Sequence, residues 1–259
     1  MMKMRPSRLL KKLRDGQAVC TFKLNTESPR IAELAAMAGF DALWLDMEHT
    51  GNNWQTIEQM IRAAKLFDVD TVVRVARGSY SDYIRPLEMD ATGIMVPHIM
   101  SAADARHVVQ MTRFQPLGRR ALDSGNQDGA YCNVPLQEYL RDSNEQRFIV
   151  GQIEDPEAVD ELDEIAAVPG LDILLFGPGD FSHAIGAPGD FGHPQLLEAR
   201  KRMVDACRAH GKFAATVGTL NNLAELLEMG FQYVNIGSDV TSLNPVCCNI
   251  VQQFQAATA

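Results

Sequence analysis

The sequence predicts an α/β fold, a parallel eight-stranded (β/α)₈ TIM barrel that takes up residues 1–259 as a single domain. Eight short runs are apolar or rich in β-branched residues, and helix-period segments lie between most of them. The length also fits, because α/β barrels commonly occupy a chain of this size as one unit.

Residues 1–15 read as a basic amphipathic helix, and the first strand follows at 18–24 (AVCTFKL). Further strands are expected at 41–47 (DALWLDM), 70–75 (DTVVRV), 93–99 (GIMVPHI) and 148–154 (FIVGQIE), then at 172–177 (DILLFG), 212–217 (KFAATV) and 232–237 (QYVNIG). Helical periodicity marks 29–38, 53–66, 101–113, 156–167, 194–210 and 220–229. Asn53 and Ser101 stand where N-caps belong, because a short polar side chain there accepts from a free backbone N–H. Gly39, Gly211 and Gly230 stand where helices stop. An open doubly wound sheet is the competing architecture, but no G-x-G-x-x-G follows the first strand. Residues 114–147, with Pro116, Gly118, Gly125 and Gly129 among polar residues, read as one long loop, and a loop of that length generally serves as a lid or a contact arm.

A hydrophobic fraction of 46% is enough for a core that needs no disulfide or structural metal. The net charge of −9 excludes the basic stripe of a nucleic-acid-binding surface, although a few converging arginines can still hold a small anion. Five cysteines without CxxC spacing fit reduced thiols in a cytoplasm. No apolar run is long enough for a membrane span or placed as a secretion signal.

In a barrel of this kind, chemistry collects at the C-terminal ends of the strands. Glu154 and Asp180 follow neighbouring strands there, so both carboxylates can reach one cation. Hard oxygen donors without cysteine suit Mg²⁺ or Mn²⁺. Capping of the next helix is the alternative role for either acid. Asp46 and His49 flank the exit of the second strand, where a carboxylate can hold an imidazole in one tautomer for proton transfer. Glu48 competes as that partner. Arg74, inside VVRVA, is costly to bury unless it meets an anion, either a substrate oxygen or a barrel carboxylate. Gly177-Pro178-Gly179-Asp180 brings approachable N–H groups to an anion. His98 ends the fourth strand and Gln152 lies on the fifth. No Ser or Cys carries a nucleophile signature. Lys212 opens its strand at the wrong end for imine chemistry, which favours a metal as the electron sink.

These pieces occur in an order that resembles the HpcH/HpaI aldolase family, metal-dependent class II pyruvate aldolases related to citrate lyase β subunits. The matching motifs are G-F-D-x-L-x-x-D-x-E-H from Gly39 to His49, V-V-R-V from Val72 to Val75, and Val96-Pro97. P-x-G-x-R from Pro116 to Arg120, Q-I-E from Gln152 to Glu154, and G-P-x-D-F-S from Gly177 to Ser182 complete them. The resemblance implies cleavage of a 4-hydroxy-2-keto acid to pyruvate and an aldehyde through a metal-stabilised enolate. The metal would be Mg²⁺ or Mn²⁺, with Co²⁺ a further candidate, held by Glu154 and Asp180 with Gln152 beside it. It further implies an Asp46–His49 dyad acting through metal-bound water, Arg74 on the keto oxygen, and backbone N–H groups near Gly179 and Asp180 on the substrate carboxylate. A homohexamer is also implied, with a C-terminal helix near 240–256 exchanged between subunits and made irregular at its start by Pro245. A CoA-thioester lyase, a 2-oxo-diacid decarboxylase and a catalytically silent assembly barrel are the alternatives. The sequence departs from the family pattern after Arg120, where Ala121 replaces a common Gly, and at His98, with milder variation at Met47 and Phe181.

Overall fold

The computed structural model describes residues 2–258. Its eight strands are β1 (Val19–Leu24), β2 (Ala42–Asp46), β3 (Asp70–Arg74), β4 (Gly93–Val96), β5 (Phe148–Ile153), β6 (Ile173–Phe176), β7 (Phe213–Gly218) and β8 (Tyr233–Ser238). They pair in parallel in chain order and close, β8 on β1, into a barrel.

The helices are α1 (Arg8–Arg14), α2 (Pro29–Ala38), α3 (Trp54–Lys65), α4 (Tyr80–Glu88), α5 (Ala102–Thr112) and α6 (Leu136–Gln146). α7 (Leu162–Ala166), α8 (Pro178–Ala184), α9 (Pro194–Ala209), α10 (Leu223–Met229) and α11 (Asp239–Thr258) follow. Asn53 accepts from the N–H of Thr56 and Ser101 from that of Asp104, so both caps form. Gly39 and Gly230 end their helices in the left-handed region, where a Cβ would be strained.

Alternation along the strands divides the apolar residues into two shells. Val19, Ala42, Trp44, Val72, Phe148 and Val150 point into the barrel, while Leu24, Leu43, Leu45 and Val73 face the helices. α1 closes the lower end: its Leu9, Leu10 and Leu13 join the interior cluster. Asp70 fixes it by accepting from Ser7 Oγ at 2.6 Å and from the N–H of Leu9 at 2.9 Å. The amphipathic start of the chain is thus a plug, which leaves the opposite end as the open mouth.

Three expectations change. Residues 114–147 are not all loop, because α6 lies within them. It buries only Tyr139 and Ser143, too thin an apolar stripe for its period to stand out. It anchors the preceding segment through the buried Arg120–Asp128 pair at 2.9 Å, since Tyr139 Oη donates to Asp128 at the same distance. The stretch 156–167 divides into a 3₁₀ turn, Pro156–Glu161, and then α7. Helix α11 is regular through Pro245, and its start is held by Asp239, which accepts from the N–H groups of Asn25 and Thr26, each at 2.9 Å. Among the described residues, no helix is long and apolar enough to cross a membrane.

Candidate active site

The mouth holds an open cleft of about 800 Å³, lined by residues including Lys23, Trp44, Arg74, Gln152 and Gly177–Asp180. On its β1–β3 side, register alone brings opposite charges together, because Asp46 ends β2 directly beside Arg74 at the end of β3. Arg74 Nε donates to Asp46 Oδ1 at 3.0 Å and Nη2 to Oδ2 at 2.6 Å, a bidentate pair buried on both partners. Lys23 Nζ reaches the same Oδ2 at 2.8 Å, and Arg74 Nη1 lies 3.0 Å from Glu48 Oε2. Both cations pack over the Trp44 ring, Lys23 at 5.1 Å and Arg74 at 4.8 Å from its centroid. Burial alone would raise the Asp46 pKa, but the bonds and charges of Arg74 and Lys23 outweigh it and hold the carboxyl well below the usual carboxylate range.

The β5–β6 side is built the other way. Glu154 follows β5 directly and is buried. It does not cap the following 3₁₀ turn, whose N-cap position is Asp155. Gln152 Nε2 donates to its Oε2, and the N–H of His98 donates to Oε1 at 3.1 Å. His98 takes a left-handed φ of 52° there, and its ring nitrogen Nδ1 lies 2.9 Å from Asp155. Asp180 sits in the first turn of α8, exposed at the cleft. Burial, with the charges of Asp180 and Glu48, pushes the Glu154 carboxyl up to about 7 against the pull of the His98 N–H and ring.

A buried carboxyl in that state lacks a cation, and the donor set suits one. Glu154 and Asp180 offer hard anionic oxygens, and Gln152 Oε1 is buried beside them without a partner. Among the described residues no three His, Cys, Asp or Glu side chains form a ready-made cage. Gly177 is what makes room for it: a Cβ there would stand 2.7 Å from Glu154 Oε2, whereas one at Gly179 would meet nothing within 4 Å.

Several expected residues are thus brought together: Arg74, Gln152, Gly177, Gly179 and Asp180 line one cleft, with Glu154 beneath it. The Asp46–His49 dyad is not formed. Asp46 is committed to Arg74 and Lys23, and His49, three residues past the strand end, is exposed with Glu48 as its near carboxylate at 3.5 Å. Gly177 cannot act as an anion donor, since its N–H donates to Ile153 O at 2.9 Å. Sequence reading also passed over Lys23, a lysine at the C-terminal end of a barrel strand. The signal was present, because Val19, Thr21 and Lys23 alternate onto the inward face of β1.

Comparison with known proteins agrees with this architecture. The HpcH/HpaI aldolase/citrate lyase family matches residues 21–245. The chain is 34% identical over 238 residues to hydroxypyruvate/pyruvate aldolase of Pseudomonas aeruginosa, covering 92% of this chain and 88% of that protein. It is 30% identical over 229 residues to 2-keto-3-deoxy-L-rhamnonate aldolase of Escherichia coli K12, covering 88% and 85% respectively. Among solved structures it is similar to an HpcH/HpaI aldolase from Desulfitobacterium hafniense, with TM-score 0.90, 29% identity, and 95% and 96% coverage. It is also similar to citrate synthase SbnG, with TM-score 0.88, 28% identity, and 97% and 99% coverage. The chain therefore belongs to the HpcH/HpaI aldolase/citrate lyase family and is a carbon–carbon lyase.

Proposed function

We propose that this protein makes or breaks the C3–C4 bond of a 4-hydroxy-2-keto acid, giving pyruvate or a related 2-keto acid and an aldehyde, with a divalent metal as cofactor. The observation that carries this reading is the under-neutralised Glu154, with Asp180 near enough to raise its pKa and Arg74 facing the same cleft. Bound at these carboxylates, Mg²⁺ or Mn²⁺ (Co²⁺ being a further candidate) would supply the positive charge that draws electron density toward the keto acid oxygens.

The chain's own groups would do the rest. Arg74 keeps free donors on both terminal nitrogens after its hydrogen bonds to Asp46, with Glu48 as an ion-pair neighbour, so it can hold the keto oxygen and take up the charge that develops there. Asp46 keeps Arg74 aimed. Pro178 has no N–H, so Gly179 and Asp180 supply the first unpaired donors of α8, suited to the substrate carboxylate. His49 at the rim is the candidate to move the proton of the 4-hydroxyl, with Glu48 rather than Asp46 as its carboxylate.

Two further features bear on setting. Helix α11 exposes Leu243, Val246, Ile250, Val251 and Phe254, which supports a homo-oligomer, a hexamer by family resemblance, in which that helix docks on another subunit. All five cysteines are free, which fits a cytoplasmic location.

The test is deuteration of the pyruvate methyl group in D₂O. Exchange is expected with Mn²⁺ or Mg²⁺ and none after EDTA. Exchange that survives EDTA, with borohydride trapping pyruvate on the protein, would replace the metal by an imine, and Lys23 would be the lysine to examine. Likeness to citrate synthase SbnG favours a second reading in which the keto acid is the acceptor and a thioester supplies the enolate carbon. Turnover of CoA thioesters in preference to aldehydes would select it.

A further inference from the structure

We propose that the closed end of the barrel carries a second binding site, for a small dianion of the phosphate class, formed by Arg14, Arg113 and Lys212. It lies at the starts of the strands, opposite the mouth, and does not depend on the reading above.

Three separate parts of the chain supply the cations. Arg14 ends α1, the helix that plugs this end of the barrel, Arg113 follows α5, and Lys212 immediately precedes β7. With Leu10, Leu117 and Gly170 they line an open hollow of about 360 Å³. Asp172, just before β6, stands in the same wall.

The charges in this hollow do not cancel. Arg113 Nη2 donates to Asp172, and the two make one neutral pair. Lys212 and Arg14 are left over: among the described residues neither makes an ion pair, although both stand near enough for their charge to act on Asp172. The chain as a whole carries −9, so two surplus cations facing one hollow run against its overall charge. Burial lowers the Lys212 pKa, and the charge of Arg113 adds to that against the pull of Asp172. An anion in the hollow would relieve this repulsion between like charges.

Hydrogen bonding leaves each of the three a donor to spare. Lys212 Nζ donates to Val168 O at 3.0 Å and to Leu171 O at 2.7 Å, which fixes the ammonium and leaves its third N–H. Arg113 is buried and anchored on the carbonyls of Gly170, Asn144 and Arg147, and one N–H of Nη2 remains beyond its bond to Asp172. Arg14, exposed at the end of α1, spends one donor on Glu145 O at 2.8 Å. A phosphate dianion matches both the surplus charge and the number of cationic donors, whereas a monoanion such as acetate would leave one cation unpaired.

The experiment titrates inorganic phosphate into the full-length protein by calorimetry at low ionic strength, in EDTA so that no metal holds phosphate at the mouth. One phosphate per chain is expected, with Kd about 1 mM or tighter and acetate at least about tenfold weaker. Arg14→Gln and Lys212→Met should each weaken phosphate about tenfold, circular dichroism showing that the variant is folded. Arg14 is exposed, so its variant carries the test even where Lys212→Met fails to fold. Glycerol 3-phosphate in place of phosphate then tells the source: tighter binding means a phosphate ester, weaker binding the free ion. The absence of saturable phosphate binding by the wild type would overturn the proposal, and that result needs no variant. Acetate bound as well as phosphate, or wild-type affinity kept by either folded variant, would overturn it too.

Discussion

Asp46 and Glu154 are both buried carboxylates at the ends of barrel strands, yet the two sides of the mouth treat them in opposite ways. Asp46 meets two cations and is held well below the ordinary range. Glu154 meets hydrogen-bond donors but no cation from Lys or Arg, and is pushed up to about 7. On the β1–β3 side Asp46 faces two permanent cations, while on the β5–β6 side Glu154 and Asp155 share the His98 ring. Burial is common to both and so does not explain the contrast. What differs is the partner the chain brings: register sets the permanent charge of Arg74 against Asp46, whereas Glu154 has the His98 ring at 3.6 Å and hydrogen bonds from His98 and Gln152.

The largest effect is expected at Glu154. Glu154→Gln should lower metal-dependent pyruvate exchange by about a thousandfold, because the donor side loses its anionic ligand, and exchange rates measured by NMR would check it. Arg74→Ala attacks the other side. It leaves Asp46 with Lys23 alone, and a cost of about 3–5 kcal/mol in urea unfolding is expected for breaking a buried pair, with exchange reduced about a hundredfold or more.

Asp46→Asn sharpens the contrast further. The amide can still accept from Arg74, so a smaller loss is expected, about 1–3 kcal/mol at neutral pH. The sign with pH follows from the lowered folded pKa. The stability that Asp46 contributes is fully present above its unfolded value near about 4, and is lost as pH falls from there toward the folded value. The gap between wild type and Asp46→Asn in urea unfolding should therefore narrow below about pH 4 and be constant from there to neutrality.

The smallest expected effect separates two glycines of one turn. Gly177→Ala places a methyl group 2.7 Å from Glu154 Oε2 and should weaken Mn²⁺ binding about tenfold, while Gly179→Ala meets no atom within 4 Å and should leave it unchanged. Equal effects at the two positions would mean that Gly177 is not what makes room for the carboxylate.

The strands and most helices were legible because burial imposes a period, two on strands and near four on amphipathic helices. Helices α4, α6 and α8 were not: α4 carries Pro86 inside it, Tyr139 and Ser143 alone mark the buried face of α6, and α8 is seven residues long. Within the site, residues on strands or next to their ends could be read, because alternation fixes where they point. Arg74, Gln152 and Glu154 belong there, and so does Lys23, which the same alternation would have found. His49 lies beyond β2, where no period governs direction, so its expected pairing with Asp46 had no physical constraint behind it. The Asp46–Arg74 pair did, since both end neighbouring strands in register.

The β5–β6 side is expected to take up one divalent cation through Glu154 and Asp180. A Mn²⁺ titration followed by electron paramagnetic resonance tests it most directly, on wild type, Glu154→Gln and Asp180→Asn. One ion per chain is expected for wild type, with binding weakened about a hundredfold or more in each variant. Wild-type affinity retained in both variants would contradict the claim.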